Sequence, residues 1–160
     1  MFKRGQAAME FLMTYGWAIL VVLVVIGALA YFGILNPQTL LPERCELQMG
    51  LHCKDYLIST DANNNGEIRL TIENGRGNDI VVTKVNATSQ EFNGSCVNQT
   101  STDILNGESA EFVLTGCKIP AKYKGKSAKH KWEVQIEWHS LGSSTAYTHT
   151  AGGQIMARIE

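Results

Sequence analysis

Cysteines, histidines, glycosylation-type triplets and a lysine-rich run are the residues of this chain whose types could do chemistry. Cys45, Cys53, Cys96 and Cys117 all lie past the apolar N-terminal segment. Four cysteines in a polar stretch suit two disulfides in an oxidising compartment. Proximity favours Cys45 with Cys53 and Cys96 with Cys117, each closing a short loop. The other two pairings, free thiols and a metal site stay open as alternatives. A metal site lacks Cys-x-x-Cys spacing, and His52 beside Cys53 is the one nearby imidazole. Asn86-Ala-Thr88, Asn93-Gly-Ser95 and Asn98-Gln-Thr100 are candidate N-glycosylation triplets, and their crowding points to an exposed glycosylated face. The alternative is a polar surface loop without sugar. Lys118, Lys122, Lys124, Lys126, Lys129 and Lys131 fall in a stretch without an acid. They are a candidate anion-binding patch, or else a solvated loop.

Other constellations exclude more than they offer. There is no Gly-x-Ser-x-Gly, no His-Glu-x-x-His, no phosphate-binding glycine loop and no dinucleotide fingerprint, so an enzyme is not expected. His52, His130, His139 and His149 are scattered; His139 and His149 could meet across a hairpin but lack a third ligand. Asp61-Ala-Asn63-Asn-Asn65-Gly66 resembles the front of a calcium loop, yet Ile72 stands where the bidentate glutamate belongs. No cofactor or metal is expected. Trp132 and Trp138 read most simply as core residues. A net charge of -1 argues against a dedicated nucleic-acid binder, and Tyr123 is the one aromatic among the clustered lysines, too few for base stacking.

One acid poses a different question. Glu10 sits at the mouth of Phe11–Leu35, a run with no charge and no proline. At about 1.5 Å rise per residue, that run as a helix can cross a hydrocarbon core of roughly 30 Å. Its glycines and its valines suit a membrane helix better than a soluble one. Asn36-Pro37 is expected to stop it. Tyr15, Trp17 and Tyr31 mark candidate interfaces, and Gly27, Ala30 and Gly33 form a small-residue strip. Lys3 and Arg4 precede the run and no cation follows until Arg44. The positive-inside bias therefore places the N-terminus in the cytoplasm and the rest outside, in agreement with the cysteines and the triplets. A secretory signal cut after Ala28-Leu29-Ala30 is the alternative, but the run is long for one.

Lys3-Arg4-Gly5-Gln6, followed by Glu10 and the apolar run, resembles the class III signal peptide of archaeal type IV pilin-like proteins. In that family a basic leader ends in glycine, glutamine becomes the first mature residue, and a glutamate stands fifth. Gly5, Gln6 and Glu10 match those places; Ala8 stands where serine is common and Thr14 where leucine is common. The resemblance covers about the first 35 residues. It implies cleavage between Gly5 and Gln6 by a prepilin peptidase, export by pilus assembly machinery, and self-association through the N-terminal helix. Glu10 is then an assembly-register residue. A carboxylate among apolar helices is heavily penalised unless paired, and the new α-amine of a neighbouring subunit's Gln6 supplies the counter-charge.

The remaining chain must position these groups. Beyond Pro42 the hydrophobic period changes from helical to alternating. Ile68, Leu70 and Ile72 alternate with polar residues, as do Ala110, Phe112 and Leu114, and Trp132, Val134, Ile136 and Trp138. Asp79–Thr88 is expected to pair with the first of these strands across the Asn74–Asn78 turn. Leu141–Ser144 should turn, Thr145–Thr150 return, and Gln154–Glu160 form a last strand. Some six short strands suggest an antiparallel β-sandwich, immunoglobulin-like in character. The expected class is α+β: residues 1–5 a cleaved leader, 6–36 a transmembrane and filament-core helix, 37–160 an extracellular β-rich head. The expected function is a structural subunit of a type IV pilus-like cell-surface filament, adhesive through its head. A membrane-anchored binding module that never polymerises is the alternative.

Overall fold

The computed structural model describes residues 3–32 and 40–160; of residues 3–7 only the backbone is described. The chain divides into two compact units, residues 1–40 and 41–160.

The first unit is a single helix, α1, Lys3–Tyr31. No polar face interrupts it: from Ala8 to Tyr31 the lone charged residue is Glu10. Phe32 continues the hydrogen-bonding pattern, its N–H donating to the Ala28 carbonyl at 3.0 Å. The stop expected at Asn36-Pro37, and the Gly33 end of the small-residue strip, lie outside the described residues.

The second unit is all antiparallel strand: β1 Arg44–Leu47, β2 Leu51–Thr60, β3 Asn65–Asn74, β4 Ile80–Ser89, β5 Gly94–Asn98, β6 Thr102–Ile104, β7 Ser109–Lys118, β8 His130–Ser140 and β9 His149–Ala157. They hydrogen-bond in the order β1-β9-β8-β4-β5-β7-β3-β2, with β6 also on β4. A lone pair, Val97 with Thr115, joins β5 to β7. The path is therefore two ladders hinged at that point. Its end strands, β1 and β2, are cross-linked by Cys45–Cys53, so the sheet nearly closes on itself.

Alternation explains the core. Ile68, Leu70 and Ile72 of β3, Phe112 and Leu114 of β7, and Trp132, Val134, Ile136 and Trp138 of β8 are all buried. In β4 the register with β8 shifts between Val82 and Lys84. That bulge lets Ile80 and Val82 on one side of it, and Val85 and Ala87 on the other, all face inward.

Several expectations about the strands are corrected. β3 and β4 are not a hairpin: β3 pairs with β2 and β7, so both its edges are taken, and β4 pairs with β8, β5 and β6. The glycine-rich stretch between them is a crossover between ladders. The buried Asn74 holds it, its side-chain amide donating to the carbonyls of Asn78 (2.8 Å) and Ile104 (3.0 Å). Thr145–Tyr147 is a 3-10 turn, not the start of a returning strand. One strand, β9, runs through Gly152-Gly153 and pairs with β8 from His130 to Trp138. The head has nine strands where about six were expected. β2 escaped notice because a bulge between Cys53 and Asp55 breaks its alternation.

Candidate functional site

The helix displays its side chains outward. Its apolar span Ala8–Tyr31 is 24 residues long, and none of it is buried within the chain. At about 1.5 Å per residue this reaches roughly 36 Å, enough for a hydrocarbon core. Gly5 and Gln6 fall within the helical backbone near its start, and Glu10 is exposed one turn further on. Phe11 and Tyr15 stack along one side with ring centroids 4.6 Å apart. Trp17 is 69% exposed, and Tyr31, also exposed, meets Phe32 edge-on with ring centroids 5.7 Å apart. A β-carbon added at Gly16 or Gly27 would meet nothing within 4 Å. A helix apolar on every side demands a partner phase: hydrocarbon or other helices.

In the head the structure pairs Cys45 with Cys53 and Cys96 with Cys117. The Cα separations are 5.9 Å and 4.6 Å. The second bridge, fully buried, clamps β5 to β7 where the two ladders meet. No cysteine is left free.

The three Asn triplets differ in geometry. Asn93 is exposed in the β4–β5 turn with φ of 45°. Asn86 is half-buried in mid-β4, paired with Gln135 and Val97. Asn98 is engaged on both sides of its amide: Nδ2 donates to the Val113 carbonyl at 2.9 Å, and Oδ1 accepts from the Thr100 N–H at 2.9 Å. An acceptor amide must be reachable, so Asn93 is the best presented of the three.

The lysine-bearing segment is ordered rather than loose. Ala121–Tyr123 form a 3-10 turn. The Ala121 N–H donates to Asn64 Oδ1 at 2.7 Å, and the Gly125 N–H to the Ile159 carbonyl at 2.7 Å. Tyr123 packs edge-on against Phe92 and His130, at 5.3 Å and 4.9 Å. His130 is buried, with Nδ1 2.9 Å from a Glu91 carboxylate oxygen; no local pattern hints at this pair because the two residues lie 39 apart. Lys131 is bound to Glu133 at 3.1 Å. Lys118, Lys122, Lys124 and Lys126 are exposed, and Lys129 is half-buried.

The remaining candidates are structural. His149 stacks on Trp138 at 4.7 Å, and the Arg76 guanidinium lies 3.9 Å from the same ring's centroid. His139 instead lies opposite Val81, in the neighbouring ladder pair. Trp132 and Trp138 are buried. Asp61 caps its own turn: Oδ1 accepts from the N–H groups of Asn63 and Asn65, and Oδ2 from the Asn65 side-chain amide. These bonds, those from Asn65 foremost, hold the Asp61 carboxyl below the usual carboxylate range. Lys54 likewise lowers Glu73. Burial, with Glu43 and Asp55 adding, raises Tyr56. Among the described residues, no three His, Cys, Asp or Glu side chains are grouped to hold a metal. A shallow polar hollow of about 550 Å³ on β1, β9 and β8 is lined by Glu46, Gln48, Glu133, Gln135 and Gln154 around Gly152.

No family model and no curated protein matches the chain. Among solved structures, the chain is similar to the entity described as "Crystal structure of the C-terminal domain of wzt", at 11% identity, over 74% of this chain and 78% of that one. The TM-score is 0.41, too low to carry an argument about fold or function.

Proposed function

We propose that the chain is a structural subunit of an archaeal type IV pilus-like surface filament, with a β-sandwich head presented outside the cell. The observation that carries this reading is Glu10: one acid at the start of a helix apolar on every side, five residues beyond a Lys-Arg-Gly leader end. The helix spans the membrane once, N-terminus in the cytoplasm, where a prepilin peptidase cuts between Gly5 and Gln6. The cut removes Lys3 and Arg4 and leaves an α-amine on Gln6. When helices leave the bilayer and bundle, apolar burial drives association at roughly 25 cal/mol per Å². An unpaired carboxylate in that bundle is strongly penalised. Pairing Glu10 of one copy with the Gln6 amine of another therefore selects one axial register, as a buried polar residue does in coiled coils. Disulfides in the head suit the exterior, and Asn93 is the favoured glycan acceptor. The head supplies the filament's outer surface and its adhesive contacts.

Mass spectrometry of the natural protein tests the processing. A chain beginning at Gln6 is expected, with added sugar mass, where present, on the peptide containing Asn93. A chain beginning at Met1 or at Tyr31 would remove the basis of the proposal. Replacing Glu10→Ala should then abolish filaments or reduce them at least tenfold, while processing and membrane content persist; normal filaments from the variant would sink the register mechanism.

A further inference from the structure

The chain enters its head at the end that bears the lysine-rich segment. Arg44 opens β1 opposite Met156 of β9, and Met156 lies opposite Lys131 of β8. Segment 118–130 joins β7 to β8 at this same end. Exposed there, Lys122 rests 4.9 Å from the Tyr123 ring centroid, and Lys124 donates to the Thr60 carbonyl at 3.3 Å. Neither contact neutralises an ammonium. Of the nearby carboxylates, Glu43 has Arg158 at 3.3 Å, Glu46 has Arg44 at 3.5 Å, Glu133 has Lys131 and Glu91 lies 2.9 Å from His130; Asp61, held ionised by its turn amides, lines a hollow with Lys124. Lys118, Lys122 and Lys126 therefore keep uncompensated charge at this end, on a backbone whose hydrogen bonds and aromatic packing fix its shape in advance, which lowers the entropy lost on binding.

We infer that Lys118, Lys122, Lys124 and Lys126 bind the anionic phosphate headgroups of the membrane that holds the chain's own helix before assembly. The inference rests on the reading of that helix as membrane-spanning. Along the chain, the strand that follows the helix, β1, begins at this end of the head. Clustered lysines beside a membrane anchor are attracted by anionic lipid, and the attraction fades within a Debye length. A second copy's acidic surface is the rival occupant, though several of its acids are engaged. Glu67 and Glu111 already share Arg69, at 2.6 Å and 3.9 Å, and Glu73 holds Lys54 at 2.9 Å.

The test is lysine acetylation, read residue by residue by mass spectrometry, on the full chain in lipid nanodiscs. The nanodiscs contain phosphatidylcholine alone, or an equimolar mixture with phosphatidylglycerol. Anionic lipid should slow labelling of the four lysines about fivefold, leave Lys54 and Lys84 unchanged, and lose its effect at high salt. Equal labelling in both lipids overturns the inference. So does protection in neutral lipid on adding inorganic phosphate, which would assign the site to a free anion, or on raising protein concentration, which would assign it to a second copy. The N-terminal peptide of natural protein separates the two claims. A Gln6 start with unprotected lysines defeats the lipid contact alone; protected lysines on an untrimmed natural chain defeat the pilin reading alone.

Discussion

Asp61 shows how a sequence cue can name the right residues and the wrong chemistry. Its Asn-rich turn has the oxygen groups of a cation loop, but the carboxylate is occupied by the turn's own N–H donors. Because these bonds lower the folded-state value, the stability they contribute is present above the unfolded value of about 4 and is lost as pH falls through the folded one. In Asp61→Asn that titration is gone, while an acceptor oxygen remains for the turn. The thermal midpoint of the variant should therefore fall less steeply than the wild type's below about pH 4; parallel curves would remove Asp61 from the acid response. The same limit of local reading applies to Asn98. Its triplet was visible, but the Val113 carbonyl that occupies its amide lies on another strand.

Among the strands, β3, β7 and β8 were legible because each has one face in the core along most of its length. β2 and β5 were not: β2 is an end strand with a bulge, and β5 is five residues long. β9 was misread because Gly152-Gly153 looks like a break. Its two glycines do different work. A β-carbon on Gly153 would come 2.5 Å from the Glu46 carbonyl oxygen and 2.6 Å from Leu47 Cδ2, so the glycine permits β1 to lie against β9. One on Gly152 would meet only the end of the Gln48 side chain, at 3.3 Å. Gly153→Ala should cost about 1–3 kcal/mol in urea unfolding, and Gly152→Ala less than about 0.5 kcal/mol. Equal losses would contradict the close-approach account of β1.

For the head as a whole, the two bridges matter through what they join. Cys45–Cys53 ties the first and last strands of the hydrogen-bonded path, and Cys96–Cys117 ties the ladders at their thin hinge. From chain entropy alone, losing the shorter loop costs about 2.5 kcal/mol and losing the longer about 3.3 kcal/mol. Burial of the Cys96 and Cys117 sulfurs adds packing loss to the second. The double variant Cys45→Ala/Cys53→Ala should raise amide exchange in β1 and β2 while β8 stays protected; uniform acceleration would show that the bridge is not a local fastening. An apolar, membrane-length helix ahead of a strand-rich polar segment could be read from residue order alone, since charge and hydrophobic period are local properties of the chain. Which strands are neighbours, which Asn amides are occupied, and that the lysines share an end with the start of β1 emerged from the fold. Those facts rest on pairings between residues far apart in sequence, which no local pattern encodes.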